Sequence, residues 1–178
     1  MFFRERVKSQ DKATETSTGT DQLVVINVDA AWRSEEIAGA GAVIRDLYAT
    51  WMTGGSWKIR ARSVAEAELL AIKGGMELAI NENLKKVTIE TDAQSLKGTL
   101  ESIGKHGTHE LAAILRDIGE MLKGTCKFDF TYVKREANQV AHQLAKLAIE
   151  MEEEIIKHNT IPVGARNAYE NDMVESCI

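Results

Sequence analysis

SVAEAELLAIKGGMELAI, residues 63–80, is where the apolar period of this chain changes. Ala65, Leu69, Ile72, Met76 and Ala79 fall at steps of four and three, which is one stripe of an amphipathic helix. Ser63 is placed to cap that helix, with Glu66 three residues on. Before this stretch the pattern is different. LVVINVD (23–29), AGAGAVIRD (38–46) and ATWMTGGSWK (49–58) read as three strands joined by hairpins, with a bulge expected at Gly54 and Gly55. After it, strand and helix signals alternate. VTIET (87–91) is a short strand, and Asp92 opens a helical pattern carrying Leu96 and Leu100. A helix is expected over 110–122, CKFDFTYV (126–133) alternates as a strand, and a last helix runs from Ala137 to roughly Glu154. Hairpins first and helix-separated strands afterwards imply an α/β domain with a mixed sheet covered by helices, because parallel strands need crossovers.

The chain has 178 residues, enough for one globular domain with a sizeable core. Its ends read differently from its middle. Residues 1–21 include the polar stretch SQDKATETSTGTD and are expected to be disordered, the domain occupies 22–151, and 152–178 is expected to be an acidic, poorly ordered tail. The net charge of −5 does not exclude a polyanionic partner. Residues 22–150 carry 16 Lys and Arg against 17 Asp and Glu, so the surplus negative charge sits in the tail. Cys126 and Cys177 have no partner at zinc or redox spacing, which fits a reducing compartment, and no run approaches transmembrane length. The expectation is an intracellular protein, nuclear or cytoplasmic, with no membrane association.

Four metal-capable residues stand at element ends or on helix faces: Asp29, Glu68, Asp92 and His142. Each has a plainer reading. Asp29 reads as a turn residue after the first strand, Asp92 as an N-cap, Glu68 as a carboxylate snorkelling outward, and His142 as an interhelix contact one turn after Asn138. Trp51 and Trp57 read as packing residues, and the pairs Lys85–Lys86 and Lys134–Arg135 as solvated or phosphate-contacting. His106, His109 and His158 are assigned no role.

Five segments, INVDAA (26–31), AGAGAVIRD (38–46), AEAELLAIKGGMELA (65–79), VTIETDAQS (87–95) and VKREANQVAHQLAKLA (133–148), together resemble the ribonuclease H type 1 family. The likeness is to the plant version, stand-alone or retroelement-derived, and covers residues 23–150. It implies a five-stranded mixed sheet, three antiparallel strands then two parallel, with helices on both faces. It also implies endonucleolytic hydrolysis of the RNA strand of RNA–DNA hybrids with two Mg²⁺ ions, Mn²⁺ being a substitute, by a monomer. On this resemblance Asp29, Glu68 and Asp92 are catalytic metal ligands and His142 takes the fourth ligand position, usually Asp. Ser63, Gln94 and Asn138 fall on nucleic-acid-contacting positions.

Three oxygen ligands suit Mg²⁺, whereas imidazole suits Mn²⁺ or Zn²⁺ better, so His142 implies either a stronger Mn²⁺ preference or a role in positioning water and product. The connection at 133–138 lacks the His-bearing loop of many bacterial members, and their basic protrusion is absent. The alternative expectation is a catalytically weakened module that binds nucleic acid or protein. A proofreading exonuclease would want Asp-x-Glu in the first strand, and integrase-like enzymes the order Asp, Asp, Glu.

Overall fold

In the computed structural model, which describes residues 3–5, 23–101, 103 and 111–176, seven strands form one sheet. They are β1 (Phe3–Glu5), β2 (Val24–Ser34), β3 (Ile37–Arg45), β4 (Trp51–Ile59), β5 (Lys86–Thr91), β6 (Lys127–Tyr132) and β7 (Ile155–His158), in the order β1-β6-β5-β2-β3-β4-β7. β2, β3 and β4 are an antiparallel meander, and β5 and β6 add parallel beyond β2. The expected five strands are thus the centre of the sheet, and the count of five is corrected by one strand at each edge. The expected disorder of residues 1–21 lies outside the described residues, apart from β1.

Helices α1 (Val64–Asn81), α2 (Lys97–Glu101) and α3 (Ala112–Leu122) bury the larger core against one face of the sheet. Leu69, Ile72 and Met76 of α1 meet Ile26, Val28 and Ile89 there. On the other face α4 (Gln139–Glu150) and α5 (Val163–Ser176) cover a smaller cluster of Val43, Val140, Leu144 and Ala165. α4 lies close to β3 because Gly41 has no side chain. A Cβ there would sit 2.6 Å from the Ala141 carbonyl oxygen.

Three boundaries differ from expectation, each for a tertiary reason. β2 continues past Asp29 because Ala30 to Trp32 find ladder partners in Ala40 to Ala38. The β4 irregularity falls at Met52 rather than at Gly54 and Gly55, since Ile44 pairs with Thr53 and Arg45 with Trp51. α4 ends at Glu150, and the acidic tail is ordered: β7 pairs antiparallel with Gly54–Trp57, and α5 sets Tyr169 edge-on against Trp51, 6.1 Å between ring centroids. The inward residues of α5, Ala165, Ala168, Tyr169 and Asp172, do follow helical spacing. They are too small and too few to show through the surrounding charges.

Candidate active site

The parallel ladder between β2 and β5 runs from Val24 and Val87 to Asn27 and Glu90, and there it stops. β2 goes on, paired only with β3, while β5 ends at Thr91 and the chain turns away. Asp29 and Asp92 each lie two residues beyond the last rung, so two carboxylates face the crevice that opens between parting strands. Their side chains are 5% and 12% exposed. Neither plainer reading survives. Asp29 leads into no turn, because β2 runs on to Ser34. Asp92 caps no helix: the turn at Gln94–Leu96 starts from Ala93 with no side-chain cap, and Thr91 Oγ1 accepts the Ala93 N–H at 3.1 Å.

Glu68 arrives from α1. Ser63 caps that helix as expected, its Oγ accepting from the Glu66 N–H at 3.2 Å, and Gly75 lets it lie down on β2. A Cβ at Gly75 would stand 2.5 Å from Val28 Cγ1. The close approach presses Glu68 inward instead of leaving it to snorkel: the Ala30 N–H bonds its carboxylate, and Oε2 is buried with no hydrogen-bond partner. One carboxylate oxygen each of Asp29, Glu68 and Asp92 lies within 4.8 Å of the other two.

The electrostatics are those of a site short of positive charge. Burial, then the charges of Asp29 and Asp92, pushes the Glu68 carboxyl up to about 9. Burial also raises Asp92, with Asp29 adding to it, while Arg135 at 3.9 Å and the Asn138 amide pull the other way. Like charges gathered out of water disfavour ionisation unless a counter-charge joins them. A hard divalent cation held by oxygen ligands supplies that charge, and the unpartnered Glu68 Oε2 is a ready ligand. The residues therefore fit such an ion.

His142 stands apart from the three. Its Nδ1 lies 2.7 Å from Asp29 Oδ2, and because an ionised carboxylate only accepts, the ring nitrogen donates. Its nitrogens are not in the three-carboxylate group; the residue expected at the fourth ligand position bonds Asp29. Asn138, expected at a nucleic-acid-contacting position, is 1% exposed; its Nδ2 donates to the Val28 carbonyl at 2.9 Å and its amide bonds Asp92. Gln94 is exposed on the turn after Asp92, where a contact is open to it.

Four cleft residues were not anticipated, Trp32, Arg33, Val64 and Lys146; Arg135, one of the basic pair read as solvated or phosphate-contacting, also lines the cleft and stands beside Asp92. Arg33 lies four residues beyond Asp29 on β2, and Lys146 one turn beyond His142 on α4. Period alone would have placed both had β2 been read to its full length. Tyr132, its phenol pushed up to about 12 by burial and by Asp92 and Glu68, borders the same acidic group.

A reverse transcriptase-like family profile matches residues 27–148. A protein of Arabidopsis thaliana with a provisional ribonuclease H name is 31% identical over 129 residues; the match takes in 72% of this chain and 21% of that relative. Among solved structures, ribonuclease H1 of Halobacterium salinarum superposes with a TM-score of 0.64 at 24% identity, over 72% of this chain and 98% of that one. The LC11 ribonuclease H1, solved in complex with an RNA/DNA hybrid, gives a TM-score of 0.63 at 22% identity, over 71% and 96%. At these identities the structural likeness is one of fold.

Proposed function

The chain belongs to the reverse transcriptase-like family of ribonuclease H-like domains, and from that premise we propose that it is a divalent-cation-dependent endonuclease hydrolysing the RNA strand of RNA–DNA hybrids. The observation that carries this reading is the group Asp29, Glu68 and Asp92, converging within 4.8 Å from β2, α1 and the end of β5, with the largely exposed Arg135 paired to Asp92 at 3.9 Å. Two Mg²⁺ ions, or Mn²⁺ in their place, would activate water and stabilise the leaving oxygen when bound.

The chain's own residues do the rest. Asp29, Glu68 and Asp92 would hold the ions. A cation beside Glu68 would offset the burial and the like charges that push its carboxyl up to about 9. His142 fixes the Asp29 carboxylate through Oδ2. Asn138 ties Asp92 to the backbone of β2. Arg33, Arg135 and Lys146 give the cleft a cationic rim for backbone phosphates, which fix register without reading sequence. Gln94, exposed on the turn after Asp92, would meet a 2′-hydroxyl across the wide minor groove of a hybrid.

The test is cleavage of a labelled RNA–DNA hybrid by the full chain in Mg²⁺ or Mn²⁺, beside Asp29→Asn. Metal-dependent cleavage by the wild type that the variant lacks is expected; no cleavage, or equal cleavage by the variant, defeats the reading. The His142 contact favours a second reading, a module that binds hybrid with little turnover, because a carboxylate is replaced by a group already engaged with Asp29. Retention of hybrid without cleavage in either ion would select it.

A further inference from the structure

A second buried polar cluster lies two residues upstream of the acidic group on the same two strands. Asn27 and Glu90 are the last cross-strand pair before β2 and β5 part, and their side chains bond across that rung, Asn27 Nδ2 to Glu90 Oε2 at 2.9 Å. Asn27 Oδ1 accepts from Arg45 Nη2 on β3. Arg45 in turn donates through Nη1 to Asp172 Oδ2 on α5 at 3.1 Å. Asn27, Arg45 and Glu90 are all buried.

The chemistry of this chain is directional. Guanidinium has no acceptor, so Arg45 fixes which end of the Asn27 amide faces it and leaves the NH₂ for Glu90. Asp172 holds Arg45 in place, and Asp172 belongs to a helix that lies beyond the residues matched by the family profile. Asn27 shares a pleat face with Asp29, and Glu90 immediately precedes Thr91 and Asp92 at the strand end. The rung is the last cross-strand tie before the positions that carry the two carboxylates.

We propose that Arg45 and Asp172 are positioning residues for the cation site: docking of α5, through Arg45 and Asn27, holds Asp29 and Asp92 at the spacing that binds a divalent ion. This rests on the reading of Asp29, Glu68 and Asp92 as the ion's ligands. It makes the C-terminal helix a determinant of metal affinity, a role that simple coverage of apolar surface would not give it.

The experiment is calorimetric titration of Mn²⁺ into the full chain without nucleic acid, comparing wild type, Asp29→Asn, Asp172→Asn, the outward-facing control Glu170→Gln, and the double variant Arg45→Met with Asp172→Leu. Couplings of this kind are about fivefold or more in affinity. Asp172→Asn is expected to weaken the Asp29-dependent Mn²⁺ binding by at least that factor, with Glu170→Gln within about twofold. The double variant replaces the ion pair with apolar groups of similar size and keeps α5 packed, which circular dichroism and protection of residues 163–176 from hydrogen exchange would verify. Weakened binding with α5 still docked supports the polar chain as the positioning element. Wild-type affinity in both variants, or no Asp29-dependent binding in the wild type, overturns it. A wild type that binds Mn²⁺ but does not cleave hybrid defeats the nuclease reading and leaves this one to be judged on the titrations.

Discussion

The two buried polar clusters on β2 and β5 differ in one respect, and that respect separates scaffold from site. Asn27, Glu90, Arg45 and Asp172 bring their own cation, and the bonds between them run from strand to helix. Two residues further along, Asp29, Glu68 and Asp92 bring three carboxylates and no comparable cation: the nearest, Arg135 at 3.9 Å from Asp92, is three-quarters exposed. Both clusters draw on β2 and on the end of β5. What changes is whether a largely buried cation belongs to the cluster or is left to a ligand.

The largest effect should come from breaking the uncompensated cluster. Asp29→Asn keeps the shape of the side chain but removes a ligand charge, and cleavage of a hybrid should fall by about 10³-fold, roughly 4 kcal/mol of barrier, measured at saturating Mg²⁺. Its folding should not suffer, since one repulsive charge is gone. The compensated cluster should respond in the opposite sense. Arg45→Met removes the cation paired with Asp172 and the donor to Asn27 Oδ1, and should lower stability by about 3 kcal/mol, read from the urea midpoint, because breaking a largely buried pair from one side strands the other charge. Stability falling in Asp29→Asn and untouched in Arg45→Met would reverse the distinction drawn between them.

A smaller effect sharpens the same contrast. Glu68→Gln should stabilise the metal-free protein by about 1–2 kcal/mol near neutral pH, as removal of strained active-site groups commonly does. The sign follows from linkage. The Glu68 carboxyl, pushed up to about 9 in the folded protein, returns to the ordinary glutamate value of 4.5 when exposed, so between those values the folded form holds a proton that the unfolded chain lacks. Stability contributed by this group is present below 4.5 and lost as pH rises toward 9. The wild type without metal should therefore weaken on the alkaline side, Glu68→Gln should not, and saturating Mg²⁺ should flatten the wild-type curve, all measurable by thermal melts at pH 5 to 9.

The sequence was legible where period and punctuation are local. The switch from hairpins to helix at residues 63–80, the cap at Ser63 and the crossovers after it gave the central sheet and the helices on both faces. Asp29, Glu68 and Asp92 could be named only through motif order, because each has a local explanation that the fold alone removes. What stayed hidden depends on partners far away in sequence. β7 exists as a strand because β4 offers it an edge, and α5 is held by Tyr169 on Trp51 and Asp172 on Arg45, contacts spanning more than 100 residues. The bonds of Asn138 were hidden for the same reason: its position beside the site was visible, but not that its amide bonds the Val28 carbonyl and Asp92.

The smallest expected effect lies in a third polar pair, on the compensated side but carrying no charge. Ser56 Oγ bonds the Leu144 carbonyl at 2.8 Å, so its hydrogen is spent and His158 Nε2, 2.9 Å away, must donate to it. This fixes the neutral tautomer of a ring that pins β7 to β4. Burial lowers the His158 pKa below 6.5, so on acidification the unfolded chain takes up a proton before the folded one does. The stability this pair contributes is full above the unfolded value and lost as pH falls through it toward the folded value, the reverse of the Glu68 case. In a Glu68→Gln background, which silences the alkaline limb, the urea midpoint should therefore drop modestly between pH 7.5 and 5, and His158→Gln should abolish the drop. A slope that persists in His158→Gln would assign the acid limb to another group and leave the C-terminal strand without a pH-sensitive fastening.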